Sequence, residues 1–161
     1  MPTAPEIRDY KDADEAHLIQ LIRELQSHET AYYDRMIPPG EIAGWYIDAI
    51  KKDCREYAGH IRIACLNDMP VGYCATMTRV PNEEGDEVPF EYAYVNDLVT
   101  AKSARGQGIG RALLRDAEAL ARAASAKWLR INVLAKNTVA REFYDRSGFE
   151  EHLVTMEKPI K

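Results

Sequence analysis

Three glycines alternate with other residues in Arg105-Gly106-Gln107-Gly108-Ile109-Gly110, between a run of strand formers and a run with helical apolar spacing. Glycine tolerates backbone angles closed to other residues, so the chain here can turn sharply and lie close to a bound group. The first amides of the helix that follows have no acceptors within the helix and point outward. Amide donors and the positive helix end then converge on one anion, and phosphate is the anion such a junction suits. Arg105 and Arg111 add charge beside it.

Spacing excludes two nucleotide folds. A Gly-x-Gly-x-x-Gly dinucleotide fingerprint begun at Gly106 meets Arg111 where its last glycine belongs, and one begun at Gly108 meets Leu113. A phosphate loop of the ATPase kind ends in Gly-Lys-Ser/Thr, whereas this chain continues Gly110-Arg111-Ala112.

Length and composition set the frame. The 161 residues suit a single domain over 1–161, long enough to bury a core without disulfide or metal staples. With 46% hydrophobic and 29% charged residues the chain reads as globular. Its net charge of −5, with both signs interspersed, offers no basic footprint for nucleic acid. Cys54, Cys65 and Cys74 match neither a closed disulfide framework nor a Cys-x-x-Cys metal site, so they read as buried thiols. No stretch approaches the roughly 18 apolar residues of a membrane span, and the acidic first residues lack a signal-peptide core, so no membrane partner and a cytoplasmic location are expected.

Elements follow from periodicity. After a tip marked by Pro2 and Pro5, Ile7–Tyr10 is a candidate strand, and Asp12 or Asp14 can cap a helix carrying Leu18, Leu21, Ile22, Leu25 and Tyr32. A second helix carries Ile42, Trp45, Tyr46, Ala49, Ile50 and Cys54. Ile61–Leu66 and Val71–Met77 form a hairpin around Asn67-Asp68-Met69-Pro70, and Pro81–Pro89 is an acidic exposed loop. Phe90–Val99 reads as the longest strand. The glycine junction and a helix with an alanine-rich face follow; then come a strand over Trp128–Leu134, a helix over Thr138–Ser147 and a last strand over Phe149–Met156. The order is β-α-α-β-β-β-α-β-α-β.

Val95-Asn96-Asp97-Leu98-Val99 and Arg105 through Leu114 resemble the acetyl-coenzyme A motif of the GNAT superfamily of N-acetyltransferases, Gln/Arg-x-x-Gly-x-Gly/Ala, matched at Arg105, Gly108 and Gly110. Asn137 through Phe149, with Phe143-Tyr144 and Gly148-Phe149, resembles that family's later motif. The resemblance covers about residues 90–152. It implies an α/β (α+β) fold: a central mixed, mainly antiparallel, splayed sheet flanked by about four helices.

The same resemblance implies residue roles. Main-chain groups of Leu98 and Val99 would pair with the pantetheine arm of acetyl-coenzyme A. Gly106, Gln107, Gly108, Ile109, Gly110 and Arg111 would hold its pyrophosphate, largely through amides. Asn137 would contact pantetheine, although an asparagine at a helix start also serves simply as a cap. Tyr144, two helical turns on, would give a proton to the leaving thiolate or else pack as a half-buried aromatic.

The base that relieves the amine of its proton stays open between Asp97, Glu91 and a water held by backbone carbonyls. Even spacing puts the two carboxylates nominally on one strand face, a parity that a bulge would break. His17, His28, His60 and His152 form no local ligand pair, so no metal is expected. The acidic run Glu83 to Glu91 reads as a solvated face or as an attractor of cationic acceptors. Tyr32, Tyr33, Trp45 and Tyr46 read as core or as acceptor-pocket walls. The leading function is direct acetyl transfer from acetyl-coenzyme A to a primary amine, small-molecule or protein, whose identity the sequence leaves open. The alternative is a noncatalytic acyl-coenzyme A binding or sensing domain, and a homodimer is a family-level expectation.

Overall fold

The computed structural model describes residues 4–160, so Pro2 lies outside the described residues. Five strands form one sheet in sequence order: β1 (Glu6–Asp9), β2 (His60–Leu66), β3 (Met69–Pro81), β4 (Glu91–Thr100) and β5 (Leu129–Ile131). The first three pairings are antiparallel and β4–β5 is parallel. Helices α1 (Glu15–Glu29) and α2 (Gly44–Glu56) precede the hairpin; α3 (Ile109–Ala123) joins β4 to β5, and α4 (Thr138–Arg146) follows β5. The mixed, mainly antiparallel sheet with four helices is the expected architecture.

Each sheet face buries its own apolar cluster. Leu18, Leu21 and Ile22 of α1 and Ile47 and Ile50 of α2 pack with Ile63, Tyr73, Met77 and Val99. Ile109, Leu113 and Ala117 of α3 pack with Ala64, Cys74 and Val95 on the other face. The close approach of α3 depends on Gly72, where a Cβ would sit 2.6 Å from the Val99 carbonyl oxygen and 3.0 Å from Ile109. The β2–β3 turn has Asn67 and Asp68 at φ 48° and 64°, the left-handed pair that a two-residue hairpin requires.

Five expectations are corrected. The longest strand is β3, not the one near Phe90: it has thirteen residues because it runs through register shifts and continues past Met77 to pair Val80 and Pro81 with β4. Asp14 is the N-cap residue of α1, but its side chain bonds no amide of that helix; the carboxylate instead accepts the Lys11 amide at 2.8 Å and both Arg8 guanidinium nitrogens at 2.8 Å. Tyr32 lies beyond α1. The run Trp128–Leu134 contributes only Leu129–Ile131, and Phe149–Met156 forms no strand. Its strand-forming side chains find no ladder: Leu153, Val154 and Met156 are exposed, and residues 150–160 make no backbone-to-backbone hydrogen bond among the described residues.

Candidate active site

The site begins where β4 loses a neighbour. β5 pairs with β4 only through Ala93, Tyr94 and Val95, while β4 itself runs on to Thr100. From residue 96 onward the strand therefore has β3 on one side and an open edge on the other. Backbone groups at such an edge need partners, which an extended, amide-containing ligand arm supplies. Leu98 and Val99 lie on this open stretch with their side chains packed toward the two cores.

The chain then makes a single 3-10 turn and enters the glycine junction. Gly106 and Gly108 have φ of 76° and 80°, and Gly108 is the N-cap of α3. A Cβ at either glycine would meet nothing within 4 Å, so the loop's outer surface is open to a ligand. The Ala112 amide already reaches the Gly108 carbonyl at 3.0 Å, which leaves the amides of Ile109, Gly110 and Arg111 as the outward donors of the first turn. Ile109 is buried and anchors this turn, while Arg105 and Gln107 are exposed. At Gly110 a Cβ would lie 3.6 Å from the Phe143 ring, so α4 crosses close to the start of α3. The open cradle, the unclaimed amides and the unpaired edge of β4 fit a pyrophosphate followed by an extended arm.

Asn137 is the N-cap of α4: it is buried, and its Oδ1 accepts the Ala140 amide at 3.2 Å. Its side-chain nitrogen makes no hydrogen bond among the described residues. One element further on, Tyr144 packs edge-on between Phe143 and Phe149, and its hydroxyl is likewise uncommitted. Burial raises the Tyr144 phenol well above the usual range, and the neighbouring Cys74, Glu29 and Asp97 reinforce the shift. The charges of Glu29 and Asp97 thus reach Tyr144.

Asp97 is buried between two phenols. Tyr73 donates to its Oδ2 at 2.7 Å and Tyr46, from α2, donates to its Oδ1 at 3.2 Å. Burial raises the carboxyl above the ordinary aspartate value despite those two hydrogen bonds, which favour the charged form. Tyr46 and Tyr94 are raised as well, first by burial and then by the Asp97 charge. Glu29, the last residue of α1, is raised by burial and by Asp97, and its carboxylate makes no hydrogen bond or ion pair among the described residues. Tyr46, Tyr94, Asp97, Glu29 and Tyr144 thus form one electrostatic neighbourhood.

Glu91 stands apart from it. Six residues separate it from Asp97, about 20 Å along an extended strand. A register shift intervenes, Ala75 pairing with Asp97 but Thr76 with Val95. Glu91 instead takes both guanidinium nitrogens of Arg79, at 2.9 and 3.3 Å, on an exposed surface. Of the four aromatics read as pocket walls, only Tyr46 reaches Asp97; Tyr33 lies under Arg35, Tyr32 packs on His28, and Trp45 bonds the Glu41 carbonyl. Cys74 is fully buried with its thiol pushed up to about 12, and so is protonated and inert. Among the described residues no group of His, Cys, Asp or Glu converges as a metal site, and no helix is long and apolar enough to cross a membrane.

Sequence reasoning missed Glu29 and Tyr73. Tyr73 lies within the strand Val71–Met77 and Glu29 at a helix end, neither with a motif around it. Only the fold brings either within range of Asp97.

An open strand edge thus leads to an amide-lined cradle. The chain belongs to the acetyltransferase (GNAT) family, whose pattern matches residues 18–149.

The chain is 39% identical over 69 residues, 43% of its length, to GCN5-related N-acetyltransferase 6, chloroplastic, of Arabidopsis thaliana. It is 31% identical over 74 residues, 46% of its length, to an uncharacterised N-acetyltransferase of Bacillus subtilis (strain 168). The matched segments span 23% and 47% of those two relatives. The crystal structure of a transcriptional regulator from Bacillus halodurans C-125 shares the fold, with a TM-score of 0.73 at 18% identity over 97% of this chain and 99% of that one.

Proposed function

We propose that the protein transfers the acetyl group of acetyl-coenzyme A directly to a primary amine, with both substrates bound together and no acyl-enzyme. The observation that carries this reading is the Tyr144 hydroxyl, protonated and uncommitted, within the electrostatic reach of Asp97 on the open stretch of β4 that leads to the glycine cradle. Acetyl-coenzyme A supplies an acetyl thioester. The amides of Ile109, Gly110 and Arg111 hold its pyrophosphate, backbone groups of Leu98 and Val99 align the pantetheine arm, and the free Asn137 amide nitrogen donates to that arm.

The amine acceptor approaches from the side of α1 and α2. Glu29 and Asp97 favour a cation there, and the aromatic faces of Tyr46 and Tyr94 suit the carbon framework that carries it. The attacking nitrogen must shed a proton as its bond to the acetyl carbon forms. The Tyr46 oxygen can accept that proton, directly or through one water, while passing its own to Asp97, whose raised carboxyl makes it a better base than an ordinary aspartate. As the carbon–sulfur bond breaks, Tyr144 donates to the departing sulfur. Its phenol is a weaker acid than a thiol of ordinary pKa near 8.5, so its largest contribution is a charge-assisted hydrogen bond. Products are the acetylated amine and the coenzyme thiol. Cys74 takes no part, because at pH 7 only about one in 10⁵ of such thiols is ionised.

The test combines calorimetry with a transfer assay. Acetyl-coenzyme A and coenzyme A should bind, with NAD and ATP much weaker, and release of free thiol should accompany acetylation within a panel of small amines and peptides. NAD binding as tight as that of acetyl-coenzyme A overturns the donor assignment. Cofactor binding without transfer to any amine points to a sensing domain instead.

A further inference from the structure

A separate cleft of about 390 Å³ opens where the end of β1, the last turns of α2 and the start of β2 meet. The Tyr10 amide donates to the Ile61 carbonyl at 3.0 Å and ties β1 to β2 beside it. Ile61, buried, and Cys54, half-buried, give the cleft an apolar wall. Around that wall stand Tyr10, Lys51, Arg55 and His60, each carrying a donor. Acceptors are scarce. The lining carboxylate of Asp9 is already taken by Arg62 at 2.6 Å. Lys51 pairs with Asp12 at 3.3 Å, but that carboxylate is 94% exposed, and such surface pairs are weak. The side chains of Arg55 and His60 make no hydrogen bond or ion pair among the described residues. The Tyr10 hydroxyl is buried and has no partner either. Lys51, whose ammonium lies 5.0 Å from the centre of the Tyr10 ring, is a donor only and cannot take the hydroxyl's proton. A buried hydroxyl without an acceptor is costly, and folding alone does not explain it.

We propose that this cleft binds a small organic monoanion, a carboxylate carried on an apolar body. The carboxylate accepts from the Tyr10 hydroxyl and pairs with Lys51 and Arg55, while the body lies on Ile61 and Cys54. The excess of donors over acceptors selects an anion, and the apolar wall selects an organic one. The last turn of α2 carries the negative end of the helix dipole, which disfavours a dianion such as a phosphate monoester. Arg55 lies nine residues beyond Tyr46, roughly 13 Å along α2, so the cleft is distinct from the neighbourhood of Asp97. The assignment therefore does not depend on the acetyl-transfer reading.

Amide chemical shifts of the full chain, followed during titration with benzoate, test the assignment. Benzoate should shift Tyr10, Lys51, Arg55 and Ile61 saturably, and benzamide, its uncharged counterpart, should bind at least about 10-fold more weakly. Inorganic phosphate should also bind more weakly than benzoate. Tyr10→Phe keeps the ring and removes the hydroxyl, and Arg55→Ala removes a charge at an exposed position. Each should weaken benzoate about 3- to 10-fold. Thermal melts without ligand check that both variants fold. The assignment is overturned by the absence of a saturable shift or by shifts confined to residues 94–99. Benzamide or phosphate binding as tightly as benzoate, or unchanged affinity in either variant, overturns it equally. None of these outcomes bears on coenzyme binding or acetyl transfer, which are measured separately.

Discussion

The two sides of the site are built from different material. The donor side is mostly main chain: an open strand edge, two glycines at positive φ and the first amides of α3, all within a short stretch of sequence. The acceptor side is mostly side chain: Glu29 from α1, Tyr46 from α2, Tyr73 from β3, and Tyr94 and Asp97 from β4. A main-chain site requires particular backbone geometry and so leaves glycines in the sequence at fixed spacing. A side-chain site assembled from four elements leaves no local trace. Tyr144 stands between the two, fixed by the donor-side motif but tuned by acceptor-side charge.

The largest expected effect falls at that junction. Tyr144→Phe keeps the ring packed between Phe143 and Phe149 and removes only the donor. Single-turnover transfer, started from enzyme premixed with acetyl-coenzyme A, should fall roughly 10- to 1000-fold, with little change in the dissociation constant. Unchanged transfer would remove Tyr144 from the chemistry and make it a packing residue.

Next comes the main-chain side. Any L side chain at Gly108 is strained by its φ of 80°, so a single variant cannot separate folding from binding. A pair can. Gly108→Ala and Gly108→Glu should lose similar stability, whereas Glu should weaken acetyl-coenzyme A a further 10-fold or so by placing a negative charge in the anion cradle. Equal affinities for the two variants would mean that the pyrophosphate lies elsewhere.

A smaller effect is expected from the acceptor side. Tyr46→Phe breaks the 3.2 Å link to Asp97 while leaving the Tyr73 bond in place. If the amine proton passes through this phenol, kcat should drop about 3- to 10-fold, the acid limb of the kcat profile should move, and KM should change little. A change confined to KM would make Tyr46 a pocket wall only.

These contrasts explain what the sequence disclosed. The five paired strands and four helices were visible because each carries its own apolar period, and the donor side because Gly106 and Gly108 obey a backbone requirement. The length of β3 was hidden because Pro81 looks like a loop residue, although its pairing with Glu91 is what ends the strand. The absent strand after Phe149 was hidden for the opposite reason. Leu153, Val154, Thr155 and Met156 have strand propensity, but propensity without a partner edge makes no sheet. Asp97 was legible as a carboxylate on a strand, whereas its two phenol partners lie 24 and 51 positions away in the chain.

The smallest effect is a change in slope, and it compares Asp97 with Asp14. Asp14, clasped by Arg8, is held below the ordinary aspartate value, so its contribution is present above the unfolded pKa of about 3.9 and is lost as pH falls through the native value. Asp97 is raised, so the native protein binds that proton more tightly than the unfolded chain does. Its contribution is fully present below about pH 3.9 and is lost as pH rises toward the native value. The two carboxyls therefore act on opposite sides of the same reference. Urea unfolding from pH 4 to 7 should show the wild type losing stability relative to Asp97→Asn as pH rises. Any fixed cost of the amide against the Tyr73 and Tyr46 hydroxyls shifts the variant's curve without tilting it. Parallel curves would mean that Asp97 titrates alike in the folded and unfolded chain, and would remove the ground for treating it as a strengthened base.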